Sequence, residues 1–175
     1  LTVVKYGLLL YEDTIELERT DYVLPTIRLQ PPFIEVLVGD PATTIYTYQF
    51  PMNYYYKASL SQTIYLAEEL SIAGSSITSI SYFAQLYGDI PAGKPIKIYM
   101  ANTDKAVFNN NSDWLPFNEF NLVFDGSIDL NMSGEQEISI DLDNPFVYAG
   151  QNLLIMVLRP LDSTWYSSSN IWKYT

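Results

Sequence analysis

The sequence predicts an all-β fold, an antiparallel β-sandwich of jelly-roll type with a short N-terminal β appendage. Three observations carry that expectation. Apolar and polar residues alternate with a period of two in several separate runs, as half-buried strands do. One apolar run, residues 153–158, does not alternate and reads as a central strand covered on both faces. Turn-forming residues fall between the runs, and helical periodicity is nearly absent.

Along the chain, residues 3–11, 13–18 and 23–29 read as short strands, followed by Gln30-Pro31-Pro32. Two consecutive prolines cannot continue a central strand and form a stiff spacer. A boundary is therefore expected there, with residues 1–31 as one unit and 32–175 as the main sandwich. About thirty residues in two or three strands cannot bury a core of their own, so the first unit is expected to lean on the main domain or to be the tail of a domain cut away. Ile96, Ile98 and Met100 alternate with Lys97 and Tyr99. Ile128 and Leu130 alternate with Ser127, Asp129 and Asn131. Ile138, Ile140 and Leu142 alternate with Glu137, Ser139, Asp141 and Asp143. Turns are expected at Gly74-Ser75-Ser76, Gly88-Asp89, Pro91-Ala92-Gly93, Asp125-Gly126, Ser133-Gly134, Asp143-Asn144-Pro145 and Ala149-Gly150. Leu66-Ala67-Glu68-Glu69-Leu70 reads as one helical turn. Phe117, Phe120, Leu122, Val123 and Phe124 read as core residues.

Composition narrows the chemistry. The 175 residues are 48% hydrophobic, enough for one full core. No apolar run is long enough to span a bilayer as a helix. The chain begins at Leu1 and is expected to be a mature fragment or an excised piece of a longer protein. Its net charge of −11 disfavours nucleic acid and anionic membrane surfaces, which need a basic footprint, and is compatible with cations or neutral glycans. Histidine and cysteine are both absent. That removes the Ser-His and Cys nucleophile arrangements, disulfides and the usual zinc or copper sites. The expectation is a module that holds a ligand and catalyses nothing.

Two stretches carry resemblances. The first comprises Val4-Lys5-Tyr6-Gly7, then Tyr11, Glu12, Asp13, Thr14, Ile15, Glu16 and Leu17, then Thr26-Ile27-Arg28-Leu29. It is similar to the end of a carboxypeptidase-regulatory-like domain, a small prealbumin-like sandwich. The second covers roughly residues 36–175. It rests on Val38-Gly39-Asp40, Thr43-Thr44, the stretch 61–70, Ile77-Thr78-Ser79-Ile80, Ile98-Tyr99-Met100, Ser112-Asp113-Trp114-Leu115-Pro116, Val123-Phe124-Asp125-Gly126 and Asn144-Pro145-Phe146-Val147-Tyr148. It resembles a β-sandwich module recurrent in large secreted or surface proteins of Gram-negative anaerobes, some of them gingipain-like protease/adhesins. The resemblance implies a secreted or cell-surface accessory or adhesion module. It supplies no catalytic residues. The expected partners are a glycan or a host or matrix protein, and neighbouring domains of the parent chain.

Six tyrosines lie between Tyr46 and Tyr65, three of them consecutive at Tyr54, Tyr55 and Tyr56. Read as a strand, Tyr54 and Tyr56 share one face and Tyr55 takes the other. Exposed, they would stack sugar rings, with Asn53, Lys57 and Gln62 bonding hydroxyls; buried, they would be sheet packing. Trp165 and Tyr166, beside a Ser/Asn-rich loop, and Trp114 carry the same two readings, and Trp172 joins them. A structural calcium ion is the candidate cofactor, with oxygens from Asp104, Asn109, Asn111 and Asp113, or from Asp40, Thr43 and Thr44. Solvated loops with Asx turns are the alternative. On the strand through residues 135–143, Glu135, Glu137, Asp141 and Asp143 share a face at roughly 6.7 Å spacing. Their mutual repulsion in water is about 0.6 kcal/mol, tolerable without a cation. A jelly-roll glycosidase motif beginning at Asp141 would need an acid where Phe146 stands. The two functions that remain are a binding or adhesion module, with carbohydrate the leading ligand, and a spacer that positions an enzyme or anchor.

Overall fold

The structure is a computed structural model and describes residues 2–5, 34–39, 45–166 and 171–174. Among the described residues, ten strands form two antiparallel sheets: β1 (Thr2–Lys5), β2 (Glu35–Leu37), β3 (Ile45–Thr47), β4 (Ser59–Tyr65), β5 (Ser76–Tyr87), β6 (Lys94–Thr103), β7 (Asn121–Ile128), β8 (Ser133–Val147), β9 (Asn152–Arg159) and β10 (Ile171–Tyr174). One helical turn, α1 (Ala67–Leu70), lies where it was expected. In one sheet the order is β4-β9-β6-β7. In the other, β8 lines one edge of β5, and β10 followed by β3 lies on the opposite edge. The two four-strand sets, β3-β10-β5-β8 and β4-β9-β6-β7, have the strand order of an eight-stranded jelly roll.

The remaining strands extend the β5 sheet. β1 pairs with β5 through Thr2↔Tyr82, Val3↔Ser81 and Val4↔Ile80, and β2 pairs with β1. β10 continues along the same β5 edge, with Ile171↔Gln85 and Trp172↔Ala84. The expected strands beyond Lys5 and the boundary at residues 31/32 lie outside the described residues.

The alternation seen in sequence sets which side chains face inward. Ile96, Ile98 and Met100 of β6 are buried against Ile138 and Ile140 of β8, Ile80 and Tyr82 of β5, and Ile155 and Val157 of β9. β9 lies between β4 and β6, and Leu153, Leu154, Ile155, Met156 and Val157 are all buried, as the unbroken apolar run predicts. Its outer face is covered by the loop that follows β6, which crosses the sheet to reach Gln62 on β4. Trp172 fills the interior from β10. Its indole N–H donates to the Met52 carbonyl at 2.8 Å, and its ring meets Tyr82 edge-on.

Four expectations are corrected. Ser133-Gly134, expected as a turn, opens β8 and pairs with Tyr87 and Leu86 of β5. Asp125-Gly126 is not a turn but the middle of β7; the Phe124 ring lies over Gly126 where a Cβ would stand. Asp143-Asn144-Pro145 lies within β8, at a register shift between Ile77 and Ser79 on β5 that absorbs the proline. Among the five residues read as core near Trp114, only Val123 is fully buried. Phe117 is exposed, its ring packed edge-on to Tyr99, and Leu122 is exposed as well.

Candidate aromatic binding site

The segment carrying the tyrosine triplet runs between β3 and β4. It is not a strand: residues 54–57 form a series of bends. The three side chains therefore do not alternate across a sheet. Tyr54 turns inward and is only 4% exposed, while Tyr55 (48%) and Tyr56 (62%) face solvent. The expectation that Tyr54 and Tyr56 share an exposed face is thus corrected, because the backbone turns within the triplet.

The loop after β9 meets this segment. The Tyr166 amide donates to the Tyr54 carbonyl at 3.0 Å, and the Asp162 amide to the Lys57 carbonyl at 2.7 Å. These bonds place Trp165, 58% exposed, beside the tyrosines. The Tyr55 ring lies 5.2 Å from Tyr56 at 87° and 6.0 Å from Trp165 at 59°. Two candidate segments more than a hundred residues apart in sequence thus form one exposed cluster of three rings. The rings are steeply inclined, so they make a faceted surface and not a flat one.

Arg159, at the end of β9, organises the cluster from beneath. It is buried, and its Nη1 donates to the carbonyls of Asn53 (3.2 Å) and Tyr56 (2.5 Å). Its guanidinium stacks over the Tyr54 ring at 4.5 Å. Nη2 lies 3.7 Å from the Asp162 carboxylate, too far for a hydrogen bond, and has no hydrogen-bond partner among the described residues. Asp162 is held by Lys94 at 2.8 Å, and Lys94 also bonds the Tyr166 hydroxyl and lies over that ring. The Lys94 hydrogen bond, followed by the Thr164 amide, lowers the Asp162 carboxyl to a pKa of about 2. Burial raises the Tyr54 hydroxyl pKa far above its ordinary value. Tyr54 and Tyr166 therefore support the site from below, and Tyr55, Tyr56 and Trp165 present its surface.

The proposed polar neighbours of the tyrosines are largely committed elsewhere. Asn53 is buried, with its Oδ1 accepting from the Tyr55 amide at 2.9 Å. Gln62 uses both ends of its amide on Leu115. Lys57 remains exposed. Trp172 is core and leaves the list of surface candidates.

Trp114 is exposed in a different setting, over a recess with Gln62, Phe108, Asn110 and Asn111. The calcium candidates nearby are engaged in hydrogen bonds and an ion pair. Asp113 pairs with Lys105 at 2.5 Å and accepts from the Asn109 amide and side chain at 2.9 and 2.8 Å. Those bonds, the Asn109 amide first, lower its carboxyl to a pKa of about 2. Asp104 instead accepts from Gln151 at 2.8 Å, and the Asn111 carbonyl accepts from the Trp114 indole. Asp113 and the Asn109 side chain are thus bonded within their own loop, and Asp104 to the turn between β8 and β9. Among the described residues no group of three or more acidic side chains is placed to hold a metal. Asp40, Thr43 and Thr44 lie outside the described residues. Glu135, Glu137, Asp141 and Asp143 are exposed on β8, with Glu135 paired to Lys173 at 2.8 Å and Asp143 accepting from the Asp125 amide at 2.8 Å.

The sequence reading missed Arg159, Asp162 and Lys94. One signal was present: an arginine directly ends the apolar run of β9 and is followed three residues later by Asp162. A charge at the margin of a fully buried strand needs a partner. No family model, curated protein or solved structure matches the chain.

Proposed function

We propose that the chain is a non-catalytic binding module of a larger exported bacterial protein, and that it takes a neutral glycan on Tyr55, Tyr56 and Trp165. The observation that carries this reading is the exposed three-ring cluster, assembled from two distant loops and clamped by a buried arginine. A sugar ring offers a C–H face to stack on such rings and hydroxyls to bond at the margin, where Lys57 stands. The steep angles between rings favour a bent or twisted chain over a flat crystalline face. A net charge of −11 favours neutral ligands over acidic ones. The alternative, a spacer that positions an enzyme or anchor, gives no reason to hold three large aromatics in water on an ordered base.

The test is retention on a panel of immobilised neutral polysaccharides, read by affinity electrophoresis. Tyr56→Ala and Trp165→Ala are expected to weaken binding by about tenfold each. Both side chains are largely exposed, so their stability cost should stay near 0.5 kcal/mol. Unchanged retention in the double variant overturns the assignment, and absence of binding across the panel by the unaltered chain favours the spacer.

A further inference from the structure

The loop joining β6 to β7 carries a second concave surface, built from residues separate from the three-ring cluster. Its backbone is fixed in several places. The Gln62 amide donates to the Leu115 carbonyl at 3.0 Å and accepts from the Leu115 amide at 2.9 Å. Lys105 and Asn109 hold Asp113, and the Ser112 amide donates to the Asn110 side-chain oxygen at 2.9 Å. The Trp114 indole N–H donates to the Asn111 carbonyl at 2.9 Å, which sets the ring's orientation. Trp114 and Phe108, both exposed, then wall a recess of about 280 Å³ with Gln62, Asn110 and Asn111.

The lining is two aromatic faces and three side-chain amides, with no charged group. Lys105, the nearby cation, is committed to Asp113. Among the described residues, the Asn111 side-chain amide makes no intramolecular hydrogen bond, so the lining offers a free donor and a free acceptor. The volume falls just below the range that holds drug-sized ligands and suits a single six-membered ring. An anion would find no counter-charge there. A purely apolar group would leave the amide idle. A pyranose matches both parts, with its C–H face on Trp114 and its hydroxyls on Asn111.

We infer that this recess is a sugar subsite that holds one pyranose ring of a neutral glycan. The inference shares its ligand class with the aromatic cluster but stands on different residues. The three tryptophans allow the two sites to be read separately. With 5-fluorotryptophan incorporated, Trp114 reports the recess, Trp165 the cluster, and buried Trp172 the fold. Glucose, galactose, mannose and N-acetylglucosamine would be titrated to millimolar concentrations with ¹⁹F NMR detection.

The expected result is a saturable shift of the Trp114 signal with at least one sugar, while the Trp172 signal stays fixed. Asn111→Ala keeps the ring and should weaken that saturation by about tenfold. A shift at Trp165 alone overturns the recess assignment and upholds the cluster. A shift at Trp114 alone upholds the recess, and the cluster is judged by the polysaccharide panel. No shift at Trp114 overturns the recess assignment, and an affinity unaffected by Asn111→Ala overturns it as well.

Discussion

Arg159 shows how one side chain can carry a surface it never reaches. Buried at the end of β9, it binds two carbonyls of the tyrosine segment and supports the Tyr54 ring. Its charge is offset at a distance by Asp162, which Lys94 bonds directly. That arrangement has a pH signature. The Asp162 carboxyl titrates at about 2 in the folded chain, below the unfolded value near 3.9. A depressed folded pKa adds stability that is present above the unfolded pKa and is lost as pH falls through the folded one. Denaturation midpoints are therefore expected to fall between about pH 5 and about pH 2, and Asp162→Asn should lower stability at neutral pH and flatten that decline. An acid limb as steep in Asp162→Asn as in the unaltered chain would remove Asp162 from the explanation.

At the scale of elements, the turns are pinned to one another as well as to their strands. The Gly74 amide donates to the Tyr148 carbonyl at 3.0 Å, and the Tyr148 amide to the Ser75 carbonyl at 2.9 Å. This brings the β8–β9 turn against the turn that precedes β5. Gly150 has a φ of +92°, and a Cβ there would stand 2.7 Å from the Ala73 Cβ. Both the backbone conformation and the contact exclude a side chain. Gly150→Ala is expected to cost about 1–3 kcal/mol in chemical denaturation. Adding Ala73→Gly should recover the part owed to the contact and leave the part owed to φ. A neutral Gly150→Ala would show that the two turns are not tightly packed.

For the whole molecule, the edge of β5 is the decisive feature. β8 covers one side along its length, while β1 and β10 share the other end to end. Removing residues 1–31 would uncover the backbone of Ile80, Ser81 and Tyr82 in the middle of a sheet. An exposed strand edge invites pairing with another chain. A chain starting at Pro32 is expected to melt at lower temperature and to self-associate in light scattering. An unchanged melting temperature and a monomeric truncation would instead mark the first 31 residues as a separable piece of a neighbouring domain.

Much of the fold was legible because strand burial writes itself into the chain with a period of two. Ile96, Ile98 and Met100, and Ile138 and Ile140, all face inward as their alternation requires, and the unbroken run of β9 became the covered central strand. Two of the misplaced turns have a local cause: Gly126 and Pro145 are turn formers in isolation, but a ring stacked on one and a bulge around the other kept them in strands. The aromatic residues of the site were also visible, since composition alone singles out Tyr54, Tyr55, Tyr56, Trp114 and Trp165. Exposure was not visible. Whether a tyrosine is buried or wet depends on which distant segment packs against it, and Tyr54 differs from Tyr55 only because Arg159 and Tyr166 meet its side of the bend. The sequence by itself determined the strand pattern, the acidic charge and the absence of histidine and cysteine chemistry, for these are properties of order and composition. The tertiary structure decided that Trp165 joins Tyr55 and Tyr56 while Trp172 is core, because only the closing of two loops over one buried guanidinium brings those rings to a common surface.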